Sequence, residues 1–301
     1  MMTKNAKQKQ PQLPAEAYQL YDKYAHGLMS RRAFFAGMSG LAVNAALATT
    51  FINSMLPNYA LAEQVSFNDP AITARYQTFP SPNGHGEGRG YLVQPKQAAG
   101  PLPVVLVIHE NRGLNPYIED VARRLAKAGF IAFAPDALWS LGGYPGNDDD
   151  GRTMQRSLDG EKIAADFTAA ALWLKQLEAG SGKLGVVGFC FGGAMTGRLA
   201  AELPDTVNAA VPFYGSPPPA DGIANIKAPM LVQLGELDER VNAMWPAAEI
   251  LLQQHKVQYS IERYTNSHHG FHNDSTARYN EAMAELAWQK TLQFFNRHLL
   301  S

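Results

Sequence analysis

The chain holds a single cysteine in 301 residues, Cys190, and its surroundings make it a candidate nucleophile. The run Gly188-Phe189-Cys190-Phe191-Gly192-Gly193 follows the apolar stretch Leu184-Gly185-Val186-Val187 and precedes a helical pattern that continues to Leu203. A nucleophile in such a strand–turn–helix corner sits in a tight, strained backbone, so the flanking positions must lack bulky Cβ groups. Gly188 and Gly192 meet that demand. The side chain is then presented at the carboxyl end of the strands, where the N–H groups opening the next helix favour both a thiolate and a developing oxyanion. One cysteine excludes an internal disulfide and a cysteine-based zinc or iron–sulfur centre, so this thiol acts alone. The competing interpretation is a small buried cysteine at a strand end, a common place for a free thiol.

Two later strand ends supply what such a thiol would need. Met230-Leu231-Val232-Gln233-Leu234 runs into Gly235-Glu236-Leu237-Asp238-Glu239, and Tyr259-Ser260-Ile261-Glu262-Arg263-Tyr264 runs into Ser267-His268-His269-Gly270-Phe271. The order nucleophile, acid, histidine, each after a strand, resembles the triad of α/β-hydrolases. Asp238 is preferred as the acid because a strand–Gly–x–x–Asp turn resembles that fold's acid loop, with Glu236 and Glu239 facing solvent. His269 is preferred over His268 because His-Gly-Phe resembles its histidine loop. A third strand end, Ile108-His109-Glu110-Asn111-Arg112-Gly113, adds a carboxylate able to exchange a proton with a nearby thiol. A zinc-protease reading of His109-Glu110 fails, because Gly113 stands where the second histidine would be required.

Together the Gly-Phe-Cys-Phe-Gly-Gly corner, the Gly-x-x-Asp turn and the His-Gly-Phe-His-Asn-Asp loop resemble the dienelactone hydrolase family over roughly residues 72–300. The resemblance implies an α/β-hydrolase without a large cap domain, its mostly parallel central sheet flanked by helices, and a triad of Cys190, His269 and Asp238. It implies that Glu110 holds the resting thiol, and that the backbone N–H groups of Phe191 and Asn111 form the oxyanion hole. The implied reaction is hydrolysis of an activated ester or unsaturated lactone through a thioester, with no cofactor. Arg112 departs from the apolar residue expected beside the oxyanion amide. With Tyr144, Arg152 and Tyr214 it is a candidate for the substrate pocket, although packing explains such residues equally well. The rivals are a broad-specificity carboxylesterase and a non-catalytic scaffold that binds a ligand or partner.

The elements that must position these groups alternate short apolar runs with amphipathic ones from about residue 70, the pattern of βα units. A hairpin spans Ile72 to Phe79 and Gly90 to Gln94, and strands follow at 104–108, 131–134, 184–187, 207–213, 230–234 and 258–263. Helical spacing covers 118–127, 161–178, 193–203, 243–254 and 276–299, while 138–157 reads as a long loop whose Asp148-Asp149-Asp150 is solvated. Ser216-Pro217-Pro218-Pro219 would make a stiff rim. His268, His269 and His272 lack the accompanying ligands of a metal site, so no metal is expected.

With 46% hydrophobic and 18% charged residues and a formal net charge of −1, the composition is globular and offers nothing to a nucleic acid. The amino terminus differs from the rest. Residues 1–29 are polar, then Ser30-Arg31-Arg32-Ala33-Phe34-Phe35 leads a mildly apolar run to Ile52, too weak for a membrane span. This resembles a twin-arginine export signal, and Ala60-Leu61-Ala62 suits a cleavage site. The expectation is a leader over 1–62 read by the twin-arginine translocation machinery, and a hydrolase domain over 63–301 that reaches the periplasm or the exterior without stable membrane insertion. The alternative is an uncleaved anchor or an N-terminal helical extension.

Overall fold

The computed structural model describes residues 13–300, the side chain of Leu61 aside; the first twelve residues of the expected leader lie outside the described residues. Four helices come first: α1 (Ala15–Ala25), α2 (Arg31–Gly40), α3 (Ala45–Met55) and α4 (Tyr59–Ala62). The sheet and its helices follow as β1 (Ile72–Ser81), β2 (Gly86–Pro95), β3 (Leu102–Ile108), α5 (Pro116–Lys127), β4 (Ile131–Pro135), α6 (Asp148–Ser157) and α7 (Gly160–Lys175). Then come β5 (Gly180–Phe189), α8 (Phe191–Glu202), β6 (Val207–Phe213), β7 (Met230–Gly235), α9 (Glu239–Asn242), α10 (Trp245–Gln254), β8 (Tyr259–Tyr264) and α11 (Glu281–Leu299).

The eight strands form one sheet in the order β1-β2-β4-β3-β5-β6-β7-β8. The β1–β2 hairpin joins β4 in antiparallel fashion, and all pairs from β4 to β8 are parallel. The central strands read as unbroken apolar runs because both faces are covered. Val104, Leu106 and Ile108 pack with α7, α8 and α10, whereas Val105 and Val107 on the opposite face pack with α5 and α11. The chain passes from β3 to β4 on one side and then from β4 across to β5 on the other side of β3. The crevice at that switch point is where ligands bind in open parallel sheets.

Three expectations needed correction. Residues 138–157 are not a featureless loop: Asn147 caps Asp150 N–H at 2.9 Å and starts α6, with Asp148, Asp149 and Asp150 in its first turn against the positive end of the helix. The helix expected over 243–254 is α10, which begins two residues later at Trp245 with Pro246 in its first turn, and an unexpected short helix, α9, capped by Asp238, precedes it. Residues 276–280 precede α11 as a turn, and Asn280 accepts from Met283 N–H to cap it.

The described part of the expected leader is folded onto the body. Tyr21, Tyr24, Phe34, Met38, Phe51, Ile52 and Met55 form their own apolar cluster, which reaches the body at Ala277. Ser30 caps α2 and Asn44 caps α3. Among the described residues no helix is long and apolar enough to cross a membrane.

Candidate active site

Cys190 stands between β5 and α8 with φ 56° and ψ −109°, a left-handed-side conformation costly for any residue but glycine. The strain is held from both sides. A Cβ at Gly188 would collide with the Gly192 carbonyl, and one at Gly192 with the Ile108 carbonyl, so the corner closes only with glycine at both positions. Cys190 N–H donates to Phe213 O at 3.1 Å, and its own carbonyl accepts from Ala194 N–H. Phe191 opens α8, so its N–H belongs to a first turn whose amides have no intrahelical acceptor.

Asp238 lies just beyond β7 and His269 beyond β8, and the two meet: His269 Nδ1 to Asp238 Oδ2 is 2.6 Å. Asp238 Oδ1 also accepts from Val241 N–H at 3.2 Å, which fixes the carboxylate. With Nδ1 so committed, Nε2 is left for the thiol. Cys190 Sγ and a ring nitrogen of each of His269 and His26 lie within 4.8 Å of one another. His269 Nε2 itself makes no hydrogen bond of good geometry, so its tie to the sulfur is chiefly one of charge.

Those charges set the proton positions. Burial would push the Cys190 thiol up, but His269 and His26 outweigh it and bring it down to about 5. Burial would lower His269, but Asp238 and then Cys190 raise it to about 10. Burial likewise raises Asp238, and His269 overrides this to hold it below its ordinary value. The stable form is therefore a thiolate–imidazolium pair over a carboxylate, able to attack an electrophilic carbonyl and to return a proton to a leaving group.

Glu110, at the end of β3, is wholly buried, and its Oε2 accepts from Asn273 Nδ2 at 2.9 Å and stands 3.8 Å from Arg112 Nε. The expectation that Glu110 holds the resting thiol is not what the structure has. Sγ faces His26 and His269 instead, with His26 Nε2 at 3.5 Å, while Glu110 Oε1 has no hydrogen-bond partner among the described residues. Asn111 turns its side chain to the amino-terminal segment, Nδ2 donating to Ala25 O at 2.9 Å. His109 is a fastener: Nδ1 meets Glu110 O at 2.5 Å and Nε2 accepts from Ala137 N–H.

Of the pocket candidates, Arg112 is buried and spends its charge within the protein, Nη1 on Asp148 Oδ2 at 2.7 Å. Tyr144 donates to Asp148 Oδ1 at 2.9 Å and joins the same network. Arg152 pairs with Asp149 and lies 4.4 Å over the ring of Tyr24. Tyr214, another residue with positive φ, sets its ring 5.1 Å from that of His269. The three clustered histidines separate: His268 stacks on Tyr18 at 4.1 Å, and His272 meets Tyr117 Oη at 2.7 Å.

Sequence reasoning missed His26, Asp22, Arg240, Asn273 and Arg278. Asp22 Oδ1 stands 3.2 Å from His26 Nδ1, and Arg240 meets both, Nε to Asp22 Oδ2 at 3.3 Å and Nη2 to His26 Nε2 at 2.9 Å. Two of these residues lie in a segment whose Arg-Arg pair drew attention to export, so no local signal tied them to Cys190.

A strained nucleophile corner at the switch point of a parallel sheet, with aspartate and histidine on two later strand ends, defines an α/β-hydrolase. The chain belongs to the dienelactone hydrolase family, whose model matches residues 89–299. It is 65% identical over 112 residues to a putative hydrolase fragment, YghX, of Escherichia coli K12, covering 37% of this chain and 96% of that one. It is 33% identical over 249 residues to a putative carboxymethylenebutenolidase of E. coli O157:H7, covering 76% of this chain and 89% of the relative. The crystal structure of a putative dienelactone hydrolase from Klebsiella pneumoniae superposes with a TM-score of 0.66 at 29% identity, over 75% of this chain and 99% of that one. Residues 4–42 separately match the YqhI-like family model. The protein is accordingly a hydrolase of carboxylic esters or lactones.

Proposed function

We propose that Cys190 performs this hydrolysis as the nucleophile of a Cys190–His269–Asp238 triad, passing through a thioester. The thiolate attacks the carbonyl carbon, the C–S bond forms, and the carbonyl electron pair moves to oxygen, where the Phe191 and Asn111 N–H groups receive it. Collapse expels the alkoxide or enolate, which takes its proton from the His269 imidazolium. Water then gives a proton to the neutral His269 and adds to the thioester. The second tetrahedral adduct expels the thiolate and restores the resting pair.

The observation that carries this reading is geometric: a strained cysteine beside a His269 that Asp238 orients at 2.6 Å. A thiolate suits leaving groups that depart as stabilised enolates, which favours an unsaturated lactone or activated ester of the carboxymethylenebutenolide type. Cys190→Ala is expected to abolish hydrolysis of p-nitrophenyl esters and lactones while leaving thermal unfolding within about 1 kcal/mol. The parent, mixed with a slow ester, is expected to show an acyl adduct on Cys190 by mass spectrometry. Turnover in Cys190→Ala would overturn the assignment, and an unlabelled, inert parent would favour a binding scaffold.

Export through the twin-arginine route, with cleavage after Ala62, belongs to the same proposal. Its support is that Arg31 and Arg32 remain exposed at the start of α2 even with the segment docked. Changing both to lysine should leave precursor in the cytoplasm. Undiminished mature protein outside it would refute the route.

A further inference from the structure

The cysteine, histidine and aspartate of the site are all buried, Cys190 being 9% exposed and His269 5%. Three hollows among the described residues, of about 480, 220 and 130 Å³, have none of the three in their walls. What closes the site is the amino-terminal segment. The end of α1 enters above the nucleophile, with His26 Nε2 3.5 Å from Sγ, the His26 ring edge-on to His269 at 4.7 Å, and Ala25 O held by Asn111 at 2.9 Å. These atoms crowd the sulfur, which an ester carbonyl would have to reach.

We propose that in the uncleaved chain residues 13–56 are an intramolecular cover for the active site, seated on Cys190 through His26, which admits substrate when it is lifted or cleaved away. The proposal rests on the reading of Cys190 as the nucleophile.

The docking is built from side chains of the body that ring the site. Arg240 holds Asp22 and His26, the Arg152 guanidinium lies over Tyr24, and the His268 ring stacks on Tyr18. The cover is not part of what the family shares, since the family match begins at residue 89, and it carries a sequence signature of its own over 4–42.

Its attachment is also made to come apart. Arg278 lies under the Tyr21 ring at 4.7 Å, is 3% exposed, and none of its three guanidinium nitrogens has a hydrogen-bond partner among the described residues. Lifting α1 would hydrate this guanidinium but give up its contact with the Tyr21 ring and its attraction to Asp22, so opening and closing are set against each other at one side chain. The three helices α1 to α3, which share one cluster of their own, can leave the body while the eight-stranded sheet stays intact and α4 remains behind with Tyr59 on Asp148 and Asn115.

The test uses the full chain and iodoacetamide, which reports access to Cys190 without any choice of substrate. The parent should be alkylated slowly for a thiolate formed at neutral pH. Arg240→Ala, changed at a side chain about one-third exposed, should speed alkylation about fivefold. Phe34→Ala, which empties the apolar cluster of the cover, should speed it roughly a hundredfold. His26→Ala should raise both alkylation and ester turnover. Equal alkylation rates in the parent, Arg240→Ala and Phe34→Ala would overturn the cover, as would a His26→Ala variant that loses turnover at an unchanged alkylation rate, because His26 would then be catalytic. If Phe34→Ala fails to fold, Arg240→Ala decides alone. Faster alkylation in the variants with no ester hydrolysed by any of them would uphold the cover and sink the proposed reaction instead.

Discussion

Replacing Asp238 by Asn removes a charge while keeping a side chain of the same size. His269 is held at about 10 against an ordinary 6.5, a preference for imidazolium of about 5 kcal/mol. Asp238 contributes more to that than Cys190, so the substitution should forfeit about 3 kcal/mol of it. The fall of Cys190 from 9.0 to about 5 belongs to the same coupled pair and is not added. Because the folded value of His269 is raised, its stabilising contribution is whole below about 6.5 and is lost as pH rises through about 10. That of Cys190, which is depressed, is present above about 9 and lost as pH falls through about 5. The parent should therefore hydrolyse esters on a plateau between these limbs. Asp238→Asn should bring the alkaline limb of kcat/KM down to about 8 and cut the plateau roughly a hundredfold or more, since the imidazole also loses the partner that fixes its tautomer. The assay is kcat/KM against pH, with ultraviolet absorbance of the thiolate followed in parallel. An alkaline limb still near 10 with a rate within about threefold of the parent would refute the pairing as the source of the thiolate.

Glu110→Gln should lower stability in urea unfolding by about 1–3 kcal/mol, because Arg112 would keep Asp148 alone as its buried counter-charge. The acid limb of Cys190 alkylation should stay in place; a displaced limb would restore the role of holding the thiol that the sequence suggested. Gly188→Ala should cost about 2–3 kcal/mol and most of the turnover, since the new Cβ meets the Gly192 backbone rather than a side chain that can move. Thermal unfolding with an ester assay checks this, and unaltered behaviour would mean the corner is not strained as described.

The sheet and the nucleophile corner were legible because they are local. Alternating or continuous apolar runs give the strands from 104 onward, and Gly188 and Gly192 bracket a residue whose conformation needs them. Asp238 and His269 were legible through chain order and strand ends, and the structure brings them together at 2.6 Å. The 148–157 helix was not, because three aspartates and Gly151 look like a loop until Asn147 is recognised as a cap and Asp148 as the partner of Arg112, 36 residues away in sequence. Arg112 shows the same limit: its odd character beside the oxyanion amide suggested substrate, whereas a long-range ion pair accounts for it. The contact of Glu110 with Asn273 spans 163 residues, and that of His26 with Cys190 spans 164, so neither leaves a trace in any window of sequence.

These unreadable contacts have a common physical origin. A thiolate in a dry pocket is tolerable only with positive charge around it, and His269 must in turn be answered by Asp238. The α/β-hydrolase framework supplies that much from its own strand ends. The amino-terminal segment then adds a second histidine–aspartate pair, His26 and Asp22, on the same sulfur, with Arg240 bridging both. Asp22 is held well below the ordinary carboxylate range because His26, His269 and Arg278 overcome the effect of its burial. The segment therefore brings to the site a negative charge as well as an imidazolium, a pair that adds no net charge to the rim it covers. Salt should weaken this attachment measurably, because Asp22, His26 and Arg240 are only partly buried.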